Sequence, residues 1–351
     1  MDSESRNRHE HELVQLKELS ARIGSDPLLT QASSGNTSIK LHDVLWIKAS
    51  GRWLADARHE DILLPLDLRE VKRRINQQVD PAEMYACASI ETAMHAVLPH
   101  PVVLHVHSVN TIAWAVRADA RLRLQHQLDG LRWQWVPYVP SGLPLAREIE
   151  RALSRSADAN ILVLGNHGLV IAGASCEEVT QLLSEVERRL AIRPRTATAA
   201  DYQALDELVD GSSWGLPDDD AVHALGIDVA SQAILSGGIL FPCQSMFSNS
   251  TSREIFQAVQ YPCSMDQCDR LYRTRPFLMI EGRGVIIKKT MNSSQLAMMS
   301  GLAQVVQRIN SSVPIHYLSD EEVEYSARTI APRYMEKAVA DHPVPMGSSA
   351  A

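Results

Sequence analysis

No stretch of the 351-residue sequence is apolar enough to cross a bilayer, because His, Pro and Asn interrupt its longest hydrophobic runs. The opening segment Met1–Glu18 is polar and charged and has no apolar centre, so no secretory leader is expected. Positive charge is not in excess either. Lys and Arg number 34 against 42 Asp and Glu, a net charge of −8. That balance argues against a nucleic-acid or membrane partner and leaves room only for a local basic pocket. Cysteine is sparse: Cys87, Cys176, Cys243, Cys263 and Cys268 are scattered, with no CxxC pair. They read as reduced thiols in a cytoplasmic protein. Cys263 and Cys268 are near enough in sequence to share a metal, but they have no histidine partners nearby. A nucleotide-binding dehydrogenase fingerprint is also absent.

Apolar residues make up 45% of the chain and charged residues 22%, so a real core is expected. The element that organises the chain runs from Pro99 to Asn110. Val102 to Val106 reads as a strand, being β-branched and apolar, with Pro99 and Pro101 marking its start. Side chains alternate along a strand, so His105 and His107 leave the same face. Two imidazoles on one face need a partner if buried, and a divalent metal is one. The bland alternative is a pair of satisfied core or surface histidines. A third imidazole is available at His167, in a Gly165-Asn166-His167-Gly168 turn between two strand-like halves. Flanking glycines let such a turn bend sharply, and the imidazole is expected exposed at its tip.

The elements around these histidines follow from periodicity. Leu13, Leu16, Leu19 and Ile23 predict a helix over about 9–23, and Cys176 to Leu190 predict another. Val44–Lys48 reads as a strand. Ala, Met and Glu predict a helix over 83–97, which would carry Glu91 and His95 on one face and run directly into the His-x-His strand. Two polar turns, Ser33 to Lys40 and Ala49-Ser50-Gly51 between Lys48 and Arg52, offer N–H and hydroxyl donors for an anion; each is otherwise an ordinary loop. The core pattern lapses over 191–200, the candidate domain boundary. Beyond it, Ile239-Leu240-Phe241 and Phe277 to Ile280 look strand-like. Residues 277–303 echo 161–187 as strand, turn, strand, helix, with Arg283 opposite His167. If the echo is a repeat, the second half is a diverged copy that has lost a ligand.

Taken together, Ser34-Gly35-Asn36, Ser50-Gly51, Ser89-x-Glu91, His105-x-His107 and Asn166-His167-Gly168 resemble the class II aldolase/adducin family of fuculose-, rhamnulose- and ribulose-phosphate aldolases and epimerases, over about Leu13 to Leu190. The resemblance implies an α/β fold, an αβα three-layer sandwich around a mostly antiparallel sheet. It implies a homotetramer with sites between subunits, and Zn2+ or another divalent transition metal. His105, His107 and His167 match the family's metal imidazoles, and Glu91 the carboxylate that binds the resting metal or acts as general base. Ser34, Gly35, Asn36, Ser50, Gly51 and Ser89 match its phosphate cradle. Where the sugar-phosphate aldolases often carry Ser-Ser-Glu, this chain has Ser89-Ile90-Glu91, one hydroxyl fewer. The domains expected are a metal-binding catalytic domain over 9–195, a smaller α/β extension over 196–340 and a loose tail over 341–351. The function expected is a metal-dependent lyase acting on a small sugar phosphate or sugar acid through an enediolate. A decarboxylase, dehydratase or epimerase using the same chemistry, or a non-catalytic adducin-like scaffold, stands as the alternative.

Overall fold

Period-two burial builds the central sheet. In the computed structural model, which describes residues 3–85, 87–247 and 253–329, seven strands lie in the order β3-β2-β1-β4-β7-β6-β5. The elements of this first unit are, in chain order, α1 (Ser3–Gly24), β1 (Asn36–Leu41), β2 (Val44–Lys48), β3 (Leu63–Asp67), α2 (Leu68–Asn76), α3 (Pro81–Met84), α4 (Thr92–Val97), β4 (Val102–Val106), α5 (Val109–Ala115), α6 (Ala120–Gln127), β5 (Trp133–Val136), α7 (Leu143–Arg155), β6 (Ile161–Leu164), β7 (Gly168–Gly173) and α8 (Cys176–Leu190). Among the described strands of this sheet, β5 and β6 alone pair in parallel; the other neighbouring pairs are antiparallel. The sheet is therefore mostly antiparallel.

Helices cover both faces, giving three layers. On one face, Leu16, Leu19 and Ile23 of α1 and Val179, Leu183, Val186 and Leu190 of α8 pack on Ile39, Val102, Leu104, Val106 and Ile171. Each such side chain contributes about 1.5–3 kcal/mol by leaving water. On the other face, Leu145 and Ile149 of α7 and Met94 of α4 meet Val103, Leu162 and Val170, while Val71 and Ile75 of α2 meet Leu45 and Ile47. Strand β4 lies mid-sheet, between β1 and β7, so its residues are buried on both sides.

The helix expected over 83–97 is broken. Asp80 caps the short α3 by accepting from the Ala82 N–H, and regular helix resumes only at Thr92. Between them the chain is drawn to the end of β2: Ala88 bridges Ala49, and the Ser50 N–H donates to the Cys87 carbonyl at 2.8 Å. Glu91 is thus the residue preceding α4, not a residue on a helical face.

A short segment far along the chain, Ser312–Tyr317, also belongs to this first unit. The second unit comprises Pro194–Ser311 and the described residues from Leu318 onward. It contains α9 (Tyr202–Val209), β8 (Trp214–Gly215), α10 (Asp220–Ile227), α11 (Val229–Gly237), α12 (Met265–Leu271), β9 (Phe277–Ile280), β10 (Gly284–Lys288), α13 (Ser293–Val306) and α14 (Asp320–Thr329). Its sheet has the order β8-β10-β9, over a core of Leu205, Trp214, Val259, Leu278, Ile280 and Ile286. Ile239-Leu240-Phe241, expected as a strand, is irregular backbone between α11 and a 3-10 turn: the Leu240 N–H donates to the Gln244 side chain at 2.8 Å. Arg283, in the turn between β9 and β10, forms an ion pair with Asp201 and lies 4.6 Å over the Tyr261 ring. The tail expected over 341–351 lies outside the described residues. Among those described, no helix is long and apolar enough to cross a membrane.

Candidate functional site

Sheet register assembles the site. Strand β4 sets His105 opposite Asn36 of β1 on one side and Val170 of β7 on the other. Cross-strand partners share a face, so the Asn36 amide and the His105 imidazole are neighbours on the face that carries α4. His107 follows one residue past the end of β4. His167 sits in the turn from β6 to β7, where Val106 pairs with Leu169 and so brings the turn beside His107. Glycine permits both close approaches. A Cβ at Gly168 would lie 2.5 Å from the Val106 carbonyl, and one at Gly35 would lie 2.8 Å from the His105 carbonyl.

The outcome is a cluster of three buried imidazoles. Ligand nitrogens of His105, His107 and His167 all lie within 4.8 Å of one another. His167, expected exposed at a turn tip, is only 5% exposed, because β7 folds its turn back over β4. Glu91 enters from the start of α4. Its Oε1 is 3.4 Å from His105 Nε2 and 3.2 Å from His167 Nε2, and its Oε2 accepts from Asn36 Nδ2 at 2.6 Å. The Ser141 hydroxyl donates to Oε1 at 3.5 Å. His105 Nδ1 donates to the Leu169 carbonyl at 3.1 Å, which leaves Nε2 for the cluster. Nε2 is buried and makes no hydrogen bond among the described residues. Leaving it so costs about 1–3 kcal/mol, which an ordinary core position has no reason to bear.

The other expected residues fall into two groups. Ser89 is tied to the cluster: its Oγ accepts from Asn36 Nδ2 and from the Glu91 N–H, each at 3.2 Å. Ser34 and Gly35 form the turn beside β4, and the Ser34 Oγ accepts from the Gln31 N–H at 2.9 Å. The turn of Ser50 and Gly51 is tied to the segment preceding Ser89, by the Ser50 N–H to the Cys87 carbonyl and by the bridge of Ala49 to Ala88. Lys48 joins the two turns, its ammonium donating to the carbonyls of Ser33 at 2.8 Å and Arg52 at 2.7 Å.

His95 was legible only as a neighbour of Glu91, and its role was missed. It is fully buried, with Nδ1 2.6 Å from the Ser38 hydroxyl and Nε2 against the Asn36 carbonyl oxygen. An amide oxygen can only accept, so Nε2 is the donor and Nδ1 accepts from Ser38. This fixes which end of the Asn36 amide turns to Glu91. No sequence signal separates such a histidine from an ordinary core one.

Burial sets the charges. It opposes the charge on Glu91, but the His105 and His167 imidazoles beside it hold the carboxyl well below the usual carboxylate range. Burial pushes His95 and His107 well below the ordinary 6.5 and lowers His167 as well. Burial thus favours the neutral form of His95, His107 and His167, and neutral imidazole is the form that ligates metals. Stability follows with a definite sign. Below pH 6.5 the unfolded chain takes up protons that these folded histidines refuse, so stability is full above that pH and lost progressively beneath it. The metal-free chain is expected to unfold at lower urea concentration at about pH 5.5 than at about pH 7.5. An unchanged or higher midpoint in acid would show that the histidines are not held neutral.

Comparison with known proteins follows the same region. A family profile described as the class II aldolase and adducin N-terminal domain matches residues 15–193. A Bacillus subtilis (strain 168) protein named uncharacterized oxidoreductase YuxG is 31% identical over 182 residues, covering 45% of this chain and 26% of that protein. The chain thus spans about a quarter of the length of this curated relative. Among solved structures, the N-terminal class II aldolase domain of a conserved Thermoplasma acidophilum protein is 24% identical, covering 50% of this chain and 90% of that one, with a TM-score of 0.44. YgbL of Klebsiella pneumoniae, described by three alternative activities (aldolase, epimerase or decarboxylase), is 22% identical, covering 52% and 87%, with a TM-score of 0.37. L-fuculose-1-phosphate aldolase from Thermus thermophilus is 17% identical, covering 51% and 91%, with a TM-score of 0.38.

Proposed function

The chain belongs to the class II aldolase and adducin family through residues 15–193, and from that premise we propose that it is a divalent-metal-dependent lyase, an aldolase that cleaves or forms a carbon–carbon bond in a small ketose phosphate or sugar-acid derivative. The observation that carries the proposal is the convergence of three buried imidazoles on one buried carboxylate. This donor set suits zinc or a similar ion: His105, His107 and His167 would hold it with Glu91 adjoining, and three protein nitrogens leave positions open for substrate. When bound, the ion supplies Lewis-acid polarisation of a substrate carbonyl.

The remaining work falls to the protein. Glu91 is the group that takes or returns a proton, through Oε1, the oxygen turned toward the imidazoles. Asn36 holds the other oxygen at 2.6 Å and so fixes the plane of the carboxyl. His95 holds Asn36, and burial of the whole set excludes water from the proton's path. A non-catalytic scaffold has no physical use for these groups together.

One observation favours a second reading, in which the substrate is a sugar acid without phosphate and the reaction a decarboxylation, dehydration or epimerisation. The Asn36 amide, matched to the family's phosphate cradle, is engaged at both ends, by Glu91 and Ser89 on one side and by His95 on the other. Assembly as a homotetramer, implied by the family resemblance, and a cytoplasmic setting, read from the scattered cysteines, belong to the same proposal.

Metal analysis of the purified chain, followed by a screen of ketose phosphates against hydroxy- and keto-acids, tests it. Turnover that requires a divalent ion, with an aldehyde released, is the expected result. No bound ion and no ion-dependent turnover would overturn the reading, and loss of carbon dioxide or water in place of an aldehyde would favour the second.

A further inference from the structure

We propose that Ser312–Tyr317 is a positioning element for the imidazole of His167, acting through Asn166; as a statement about metal binding it rests on the reading above. The segment lies as an extended strap on the backbone that follows α5. Ile315 bridges Arg117 in antiparallel fashion, the Ala118 N–H donates to the Pro314 carbonyl at 2.9 Å, and the His316 N–H donates to the Val116 carbonyl at 2.7 Å. From this fixed register His316 grips Asn166 at both ends of its amide. Asn166 Nδ2 donates to the His316 carbonyl at 2.7 Å, and His316 Nδ1 lies 3.1 Å from Asn166 Oδ1. The amide oxygen can only accept, so His316 Nδ1 carries the proton in this pair.

Asn166 is the residue before His167, and its backbone is left-handed, with φ at 51°. Glycine takes that conformation more cheaply and already stands on either side of the Asn-His pair, at Gly165 and Gly168. What asparagine adds is the amide, and the strap uses both of its ends. The turn backbone is held independently, by the Asn166 N–H to the Ala115 carbonyl at 3.3 Å and the His167 N–H to the Leu164 carbonyl at 3.2 Å. The strap therefore acts on the angle at which the third imidazole is presented. Groups that orient a metal-binding side chain without touching the ion typically change affinity by about 10–100-fold. The strap lies outside residues 15–193, so the stretch matched by the family contains the candidate ligands but not this support.

Two substitutions in the full chain test the inference. Asn166→Gly keeps the left-handed backbone and deletes the amide; His316→Ala, at an exposed position, removes only the side-chain half of the grip. Metal-stripped protein is titrated with Zn2+, and amide hydrogen exchange is followed over 165–168 without metal. Expected are Zn2+ affinity lower by about 10–100-fold in Asn166→Gly and by less in His316→Ala, and faster exchange confined to the turn. The urea midpoint of His316→Ala should stay unchanged, and His316→Asn, which restores a donor near the Nδ1 position, should recover much of the affinity. Parental affinity and parental exchange in Asn166→Gly would overturn the proposal. If the parent itself binds no Zn2+, the metal reading fails and the exchange decides: faster exchange over 165–168 supports the strap as the element positioning His167, and unchanged exchange removes it.

Discussion

Alanine in place of His105, His107 or His167, one at a time, is expected to weaken divalent-ion binding by more than roughly 100-fold, beyond the range typical of groups that only support a ligand. The three nitrogens share one small volume, within 4.8 Å of each other, so two cannot substitute for three. His105→Ala should also lower stability most. It removes a fully buried ring, deletes the bond to the Leu169 carbonyl and takes from Glu91 one of the imidazoles that favour its charge. His107→Ala and His167→Ala provide the cleaner arms. Metal content and calorimetric titration of each variant, beside its thermal unfolding, check the expectation. A folded variant that binds one ion per chain as tightly as the parent would remove that histidine from the site.

Glu91→Gln is expected to keep the ion and lose turnover, by roughly 10²–10⁴-fold, the range for deleting a positioned proton-transfer group. Glutamine fills the same space, and its oxygen can still accept from Asn36, so the wall of the site should stand. Its amide cannot take a proton at neutral pH, and the acidic limb that protonation of Glu91 gives to the pH–rate profile should vanish with it. Two measurements separate chemistry from structure: zinc content and kcat on whichever substrate the screen identifies. Parental kcat with full metal loading would make Glu91 a structural carboxylate.

Much of this arrangement was readable because it depends on short-range periodicity. Alternation along 102–106 gives β4 its faces, and the glycines around Asn166 and His167 give the turn. What could not be read depends on contacts between distant segments. The 83–97 stretch has good helical composition, yet the bridge from Ala88 to Ala49 overrides it and leaves Glu91 at a helix start. Ile239-Leu240-Phe241 is a short apolar run, and such runs do not distinguish a strand from any other buried segment. Here the run is buried but irregular, with Leu240 bonded to a side chain. The opposition of Asn36 to His105 is a matter of strand register. His95 looks like any histidine on an apolar helix. Ser312–Tyr317 has no periodicity at all, and nothing local connects it to Asn166.

The separation of Asn166 and His316 by 150 residues has a consequence for how the protein is made. A ribosome adds roughly 5–20 residues per second, so Asn166 and His167 are synthesised about 8–30 s before His316. Within that interval the nascent chain already carries every residue of the three-imidazole cluster, and its central strands have time to pair. The grip on Asn166 is added only afterwards. Chains released early, after the cluster but short of Tyr317, would carry the complete ligand set with its third member unbraced, and newly made protein would acquire its final geometry at that turn only once His316 has followed.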